Sequence, residues 1–323
     1  MKRLSIICIL LWFATNQLIA QNGYWEAAVG PYGGNSNIIP TNSNRLYARH
    51  SHGFFHRSTD YGLHWQPFEI QSADVNAYSE ELYIAPSGNF YSLVLKQGGN
   101  NWAKYLYRST DDGQTWELRS NQPYLTQVWE TPSGNLIGYD PSQNLYRSTD
   151  AGLTWQSVGQ TNLNMSPYTT TISFGSGNRI LLADWNGLVY SLNDGQTWNE
   201  GGDSGSFFNQ VTMTSSGSIF RIDNGDLTPG SLVHLSNDWG FNWTPANISL
   251  DYEEYPQTIM EIAGGRLLMT TNTRIHYSDD SGVTWYVLPT GAERANWFYT
   301  SSPLPNGDLI GQYKDATYRS SDA

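Results

Sequence analysis

The sequence predicts an all-β chain folded as a ring of seven four-stranded antiparallel blades, the last closed by a strand from near the N-terminus. Three observations carry this. An eight-residue word returns six times as variants of S-x-D-x-G-x-T-W, at Ser58–Trp65, Ser109–Trp116, Ser148–Trp155, Ser191–Trp198, Ser236–Trp243 and Ser278–Trp285. Successive words begin 39 to 51 residues apart, which is room for four short strands with their turns and marks a repeat architecture. A seventh word is split: Ser320-Ser321-Asp322 stands at one end of the sequence and Asn22-Gly23-Tyr24-Trp25-Glu26 near the other.

Taken in order, the first twenty residues read as a secretory signal. Lys2 and Arg3 make a basic start, Leu4 to Phe13 an apolar stretch, and Ala20 a small residue suited to cleavage. The apolar run is short for a membrane span and is interrupted by Thr15, Asn16 and Gln17. Residues 21–323 are therefore expected to form one domain without a transmembrane segment, located in the periplasm, at the cell surface or in the medium. The single cysteine, Cys8, falls in the signal, so neither disulfides nor cysteine metal sites are expected. A formal charge of −12, more negative once Lys2 and Arg3 are removed, disfavours nucleic acid and anionic membranes as partners. With 13 Trp, 21 Tyr and 31 Gly and only 14% charged residues, the composition is that of a turn-rich β protein.

A second recurrent signal sets the phase inside each unit. Pro86-Ser87-Gly88-Asn89, Pro132-Ser133-Gly134-Asn135, Ser216-Gly217-Ser218 and Pro305-Asn306-Gly307-Asp308 each separate a pair of apolar runs, as tight hairpins do. In the third unit the strands are expected near Thr126–Thr131, Leu136–Tyr139, Leu145–Ser148 and Trp155–Val158. In the last, inner strands near Trp297–Ser302, Leu309–Tyr313 and Thr317–Ser320 leave Tyr24–Val29 to complete the sheet, which would remove exposed edges.

The word itself reads as structure. Its Ser and Asp can accept backbone N–H groups inside the turn, its Gly allows positive φ, and its Trp offers apolar area with an indole N–H that seeks an acceptor. Asn193 replaces the Asp in the fourth copy, a change a catalytic carboxylate would not tolerate. These words resemble the BNR or Asp-box repeats of sialidases, sortilins, xyloglucanases and a photosystem II assembly factor. The resemblance implies a β-propeller with the words on the turn between third and fourth strands, away from the working face, and it identifies fold rather than activity.

Function is expected on the opposite face, where the loops between blades carry a recurring aromatic before each inner strand. That recurrence is what packing between blades produces. The binding candidates are Trp102, Tyr124, Tyr168, Tyr252, Tyr255 and Trp297, aromatic surfaces suited to stacking on a sugar ring or a partner chain. Acids on that face include Asp74, Glu80, Glu81, Asp203, Asp223, Asp226, Glu253, Glu254 and Glu293, most of which read as solvated loop charges. His50, His52 and His56 lack an obvious third ligand, so no metal site and no cofactor are expected. A sialidase would place an arginine in an R-I-P segment on its first inner strand, where this chain has Asn37-Ile38-Ile39-Pro40. Arg57, Arg108, Arg147 and Arg319 instead precede the word serine, a structural position. The expectation is an exported, non-catalytic propeller that binds a protein or glycan partner through its loop face; the alternative is a glycoside hydrolase or polysaccharide lyase with its site at the channel mouth.

Overall fold

The computed structural model describes residues 25–27, 36–41, 44–50, 55–68, 70, 77–98, 101–167, 169–184, 186–202, 208–223, 232–251, 254–262, 264–288, 300–303, 308–313 and 316–320; the expected signal lies outside them. Strand β1 is Trp25–Ala27. Blade one follows as β2 (Ser36–Pro40), β3 (Leu46–His50), β4 (Phe55–Ser58) and β5 (Gln66–Phe68), and blade two as β6 (Ala77–Ile84), β7 (Phe90–Gly98), β8 (Asn101–Ser109) and β9 (Glu117–Ser120). Blade three is β10 (Gln127–Glu130), β11 (Leu136–Tyr139), β12 (Asn144–Ser148) and β13 (Gln156–Gln160). Blade four is β14 (Thr171–Gly175), β15 (Arg179–Asp184), β16 (Gly187–Ser191) and β17 (Asn199–Glu200). Blade five is β18 (Phe208–Met213), β19 (Ile219–Asp223), β20 (Val233–Ser236) and β21 (Thr244–Pro245), and blade six β22 (Pro256–Glu261), β23 (Leu267–Thr271), β24 (Ile275–Ser278) and β25 (Tyr286–Val287). The chain ends with β26 (Thr300–Pro303), β27 (Leu309–Tyr313) and β28 (Ala316–Ser320).

The expected seven blades are corrected to six, because only six are cut from a contiguous stretch of chain. The remaining four-stranded sheet is composite, ordered β1-β28-β27-β26, with Trp25 opposite Ser320, Glu26 opposite Arg319 and Ala27 opposite Tyr318. Of the expected strand Tyr24–Val29, Trp25–Ala27 is seen as the outer strand, and the remaining residues lie outside those described. In blade three the outer strand starts at Gln156, one residue after the word Trp, whose indole packs against the core between blades two and three.

Most of the hydrophobic clusters lie between neighbouring blades. Tyr47, Phe55 and Phe68 of blade one meet Leu82, Ile84 and Phe90 of blade two. Tyr91, Leu93 and Leu106 of blade two meet Leu125, Val128 and Leu136 at blade three. The same layering joins blades three and four, four and five, and five and six. Ile38 and Leu46 of blade one pack on Ile310 of the composite sheet. Alternating strand faces make this possible: each blade presents one apolar face to each neighbour, so the strands read as near-continuous apolar runs, such as the fully buried Leu136–Tyr139.

Each word closes its turn with the same Ser and Asp or Asn hydrogen bonds, and in four copies the Trp indole donates to the word Gly carbonyl, while Trp155 donates to Ser120 instead. In blade two the Ser109 hydroxyl donates to Asp111 Oδ1 at 2.7 Å and accepts the N–H of Gly113 at 2.9 Å. Asp111 then accepts the N–H of Thr115 at 2.9 Å and its hydroxyl at 2.6 Å, and Trp116 Nε1 donates to the carbonyl of Gly113 at 3.0 Å. Asn193 keeps the geometry: its Oδ1 accepts from Ser191 and from the N–H of Thr197, and its Nδ2 donates to the Thr197 hydroxyl. The word glycine serves two needs. Gly195 has φ +77°, and a Cβ there would lie 2.3 Å from Ile137 of the preceding blade. Gly62, Gly113, Gly152 and Gly282 are each pressed onto the preceding sheet in the same way, with such an atom 2.4 to 2.7 Å from a core side chain.

The turn has a titration signature. Hydrogen bonds from the Thr115 hydroxyl and N–H and from Ser109 hold Asp111 at about 2. Burial pushes Asp150 up, but bonds from Thr154 and Ser148 outweigh it and leave it at about 2. Because these folded values lie below the ordinary 3.8, the stabilisation is complete above that pH and is lost as pH falls toward about 2. Melting temperature followed across that window is expected to drop, and to drop less in Asp150→Asn, which adopts the side chain blade four already uses. A variant with the wild-type acid slope would contradict a stabilising role for the Asp150 charge.

Candidate functional site

Antiparallel pairing sends the words and the hairpins after the inner strands to one end of each blade. The turns between second and third strands and the connections between blades go to the other end. At that second end most described acids are committed to holding their own loops. Asp140 accepts the N–H groups of Ser142 and Asn144 and the hydroxyl of Tyr146. Asp184, buried, accepts the N–H groups of Asn164 and Asn186 at 2.6 and 2.8 Å, and burial raises its pKa despite those bonds. Asp223 pairs with Arg221 and His234, each at 2.9 Å.

Blade six solves the same problem with a residue from outside the turn. Glu254, in the connection before β22, is 1% exposed and lies 2.7 Å from His276 Nε2. It also accepts the Thr271 hydroxyl at 2.8 Å and the N–H of Asp251 at 3.0 Å. Burial pushes its carboxyl up, but the bonds from His276, Asp251 and Thr271 outweigh it and hold it below the ordinary value. Arg274 crosses to Asp251 at 2.5 Å. The solvated loop charge expected at Glu254 is thus a buried keystone: a carboxylate is buried only where it is paired and hydrogen-bonded.

One cavity of about 240 Å³ opens where the inner strands of blades one to three converge. Ile39, Leu82, Leu93, Val128 and Pro167 supply its apolar wall. A register shift between Ser79 and Glu81 aims the Glu81 carboxylate at blade one, where Arg49 Nη1 donates to both its oxygens at 3.0 and 2.9 Å. Tyr83 and Tyr91 also line the cavity, yet both hydroxyls are engaged at its back: Tyr83 donates to the carbonyl of Glu130 at 3.2 Å and Tyr91 to the Glu130 carboxylate at 2.7 Å. Burial, then the Glu130 carboxylate, pushes the Tyr91 phenol far above its ordinary value; burial pushes that of Tyr83 similarly. Both stay protonated, which suits a packing role and not that of a base. Gln127, at the start of β10, completes the lining, and its Oε1 is buried without a partner.

The aromatic candidates do not assemble into one site. Tyr124 is 37% exposed with Lys104 Nζ 5.4 Å above its ring, and Tyr255 is 48% exposed. They stand before the inner strands of blades three and six. Tyr255 is fixed through its backbone, its N–H donating to Asn272 Oδ1 and its carbonyl accepting the Asn272 N–H. Trp102 stands in β8 opposite Gln97, near the tip of the β7–β8 hairpin. Tyr168, Tyr252 and Trp297 lie outside the described residues, as do His52 and, of the acids named above, Asp74, Asp203, Asp226, Glu253 and Glu293. Among the described residues no group of three His, Cys, Asp or Glu is arranged to hold a metal, and no helix is long and apolar enough to cross a membrane.

The sequence signature of the BNR/Asp-box repeat matches residues 107–118, the end of β8 and the word of blade two. The chain is a β-propeller with a BNR/Asp-box repeat in blade two. No curated protein matches the sequence. Among solved structures the propeller is similar to YCF48 bound to a D1 peptide, at 13% identity and TM-score 0.63, over 94% of this chain and 96% of that one. It is similar to the GH74 xyloglucanase of Xanthomonas campestris at 16% identity and TM-score 0.64, over 92% of this chain but 53% of the enzyme. A catalytically inactive virginiamycin B lyase of Staphylococcus aureus, solved with quinupristin, matches at 13% identity and TM-score 0.62, over 92% and 99%. At these identities the likeness is one of fold.

Removing the Glu254 carboxylate strands His276, Thr271 and a backbone N–H in a buried site. Glu254→Ala is expected to cost about 3–5 kcal/mol in urea unfolding, and a loss under about 1 kcal/mol would show the pair to be dispensable.

Proposed function

We propose that this propeller is a non-catalytic binding protein that holds a segment of a partner protein at the end opposite the words. The observation that carries the reading is the state of the cavity. Arg49 and Glu81 pair with each other, and the two phenols donate to Glu130, so these groups are held by partners within the fold. At about 240 Å³ the cavity is smaller than the ~300–1,000 Å³ of common small-molecule sites, a fit to one side chain of an extended segment rather than to several sugar rings. The peptide in the similar YCF48 structure is consistent with this use of the fold. Export belongs to the proposal and is supported by the basic, apolar and small-residue order of the first twenty residues.

A glycan partner or a lyase is the competing reading, favoured by the exposed Tyr124 and Tyr255 and by tyrosines that share a cavity with Arg49. An array of short random-sequence peptides, screened beside a glycan array and with product analysis on mixed polysaccharides, separates them. Peptide capture without product is expected. New reducing ends or unsaturated products would overturn the non-catalytic reading, and glycan capture without peptide capture would overturn the choice of partner.

A further inference from the structure

Blade two carries an arm longer than any described in the other blades. Its second and third strands, β7 and β8, run nine residues each, against four to six for their described counterparts. The extra length lies at the end opposite the words, since β8 begins at Asn101 and enters its word at Ser109. On its inner side the arm is paired: β6 follows β7 as far as Ala77 opposite Lys96. On its outer side the pairing stops short. Strand β9 pairs only with Leu106, Tyr107 and Arg108 of β8, and the chain then leaves through Asn121, Gln122 and Pro123, the last without an N–H to extend a ladder. Among the described residues no strand lies against the outer edge of Asn101–Tyr105, so alternate N–H and C=O groups of that stretch face outward from the sheet.

The arm is also the basic part of an acidic chain. From Leu82 to Thr110 there is no Asp or Glu, and the stretch holds Lys96, Lys104 and Arg108 in a protein of formal charge −12. Lys96 and Lys104 are two of only four lysines in the chain. Register puts Ala103 opposite Lys96 and Lys104 opposite Leu95, so the two ammonium groups rise from opposite faces of the arm. Aromatic rings hold both: Lys96 Nζ stands 5.1 and 5.0 Å from the rings of Tyr105 and Tyr107, and Lys104 Nζ 5.4 Å from that of Tyr124. A ring face attracts an ammonium without neutralising it, so the positive charge stays beside the open edge. Such an edge repels a second copy of the same basic strand and attracts an acidic one.

We infer that the outer edge of Asn101–Tyr105 is a strand-addition site for an extended, acidic segment of a partner protein. The segment continues blade two outward beyond β8: its main chain meets the unpaired backbone groups, and its carboxylates meet Lys104 or Lys96 according to the face they occupy. This goes beyond the cavity reading above and does not depend on it. Blade two lines the cavity with residues of β6 and β7, the inner half of the blade, whereas the edge belongs to β8.

The test uses a short, capped peptide of alternating valine and glutamate, whose glutamates share one face when extended, and its valine–lysine counterpart. The acidic peptide is expected to bind and to slow amide exchange within Asn101–Tyr105, and the basic one to bind about tenfold more weakly. Two further acidic peptides, N-methylated at alternate nitrogens of one parity or the other, separate strand addition from plain charge attraction. One parity is expected to abolish binding and the other to spare it, because alternate N–H groups of a strand point to the same side. Lys104→Glu is expected to weaken the acidic peptide about fivefold while leaving the melting temperature and the capture of array peptides by the cavity unchanged. Absence of protection at Asn101–Tyr105 with millimolar acidic peptide, equal binding of the two charge types, or equal losses from the two N-methylated sets, as an anionic glycan site would give, would overturn the assignment and leave the cavity reading untouched. Self-association of the peptide-free protein that protects the same amides would overturn it in favour of a second copy. An array that yields no peptide for the cavity would sink that reading and not this one.

Discussion

The ring depends on the close approach of each word glycine to the blade before it. A turn that must place its backbone against the neighbouring core has no room for a Cβ: the atom would sit 2.3 Å from Ile137 at Gly195 and 2.5 Å from Phe68 at Gly113. The Ser and Asp of the word satisfy the turn's N–H groups internally, so that backbone can be pressed onto apolar side chains without stranding donors. Polar clasps then run in the same sense from blade to blade. Arg45 pairs with Asp112, Arg119 donates to the carbonyls of Asp150 and Ala151, and Arg147 grips Asp194 at 2.7 Å. Gly62 extends the interlock onto Ile310, tying blade one to the composite sheet made from both ends of the described chain.

Because one end of every blade is committed to this interlock, the other end is free to differ. There the acids divide into turn caps, such as Asp140 and Asp184, and a buried keystone, Glu254. The cavity follows from the same freedom. Gln210 and Thr171 stitch one inner strand to the next in blades four to six, while the cavity opens among the inner strands of blades one to three.

How much of this the sequence discloses depends on how local the cause is. The word announces its turn because Ser, Asp, Gly and Trp are needed within eight residues, and Asn193 shows through chemistry alone that the position is structural. The split copy points to the pairing of Trp25 with Ser320 because the missing half stands at the other end of the chain. The site is different in kind. Arg49 meets Glu81 only because β6 carries a bulge, and Glu254 is buried only because His276 and Thr271 lie across a turn from it. The aromatic recurrence misleads, since Tyr124 and Tyr255 are exposed where repetition predicts packing.

Division of labour between the two ends is the central claim, and backbone hydrogen exchange with and without a captured peptide measures it most directly. Slowed exchange confined to the inner strands around Glu81–Ile84 and Gln127–Glu130, with the six words unchanged, is the predicted result. Protection concentrated in the words, at Ser109–Trp116 and its repeats, would contradict a binding site at the opposite end.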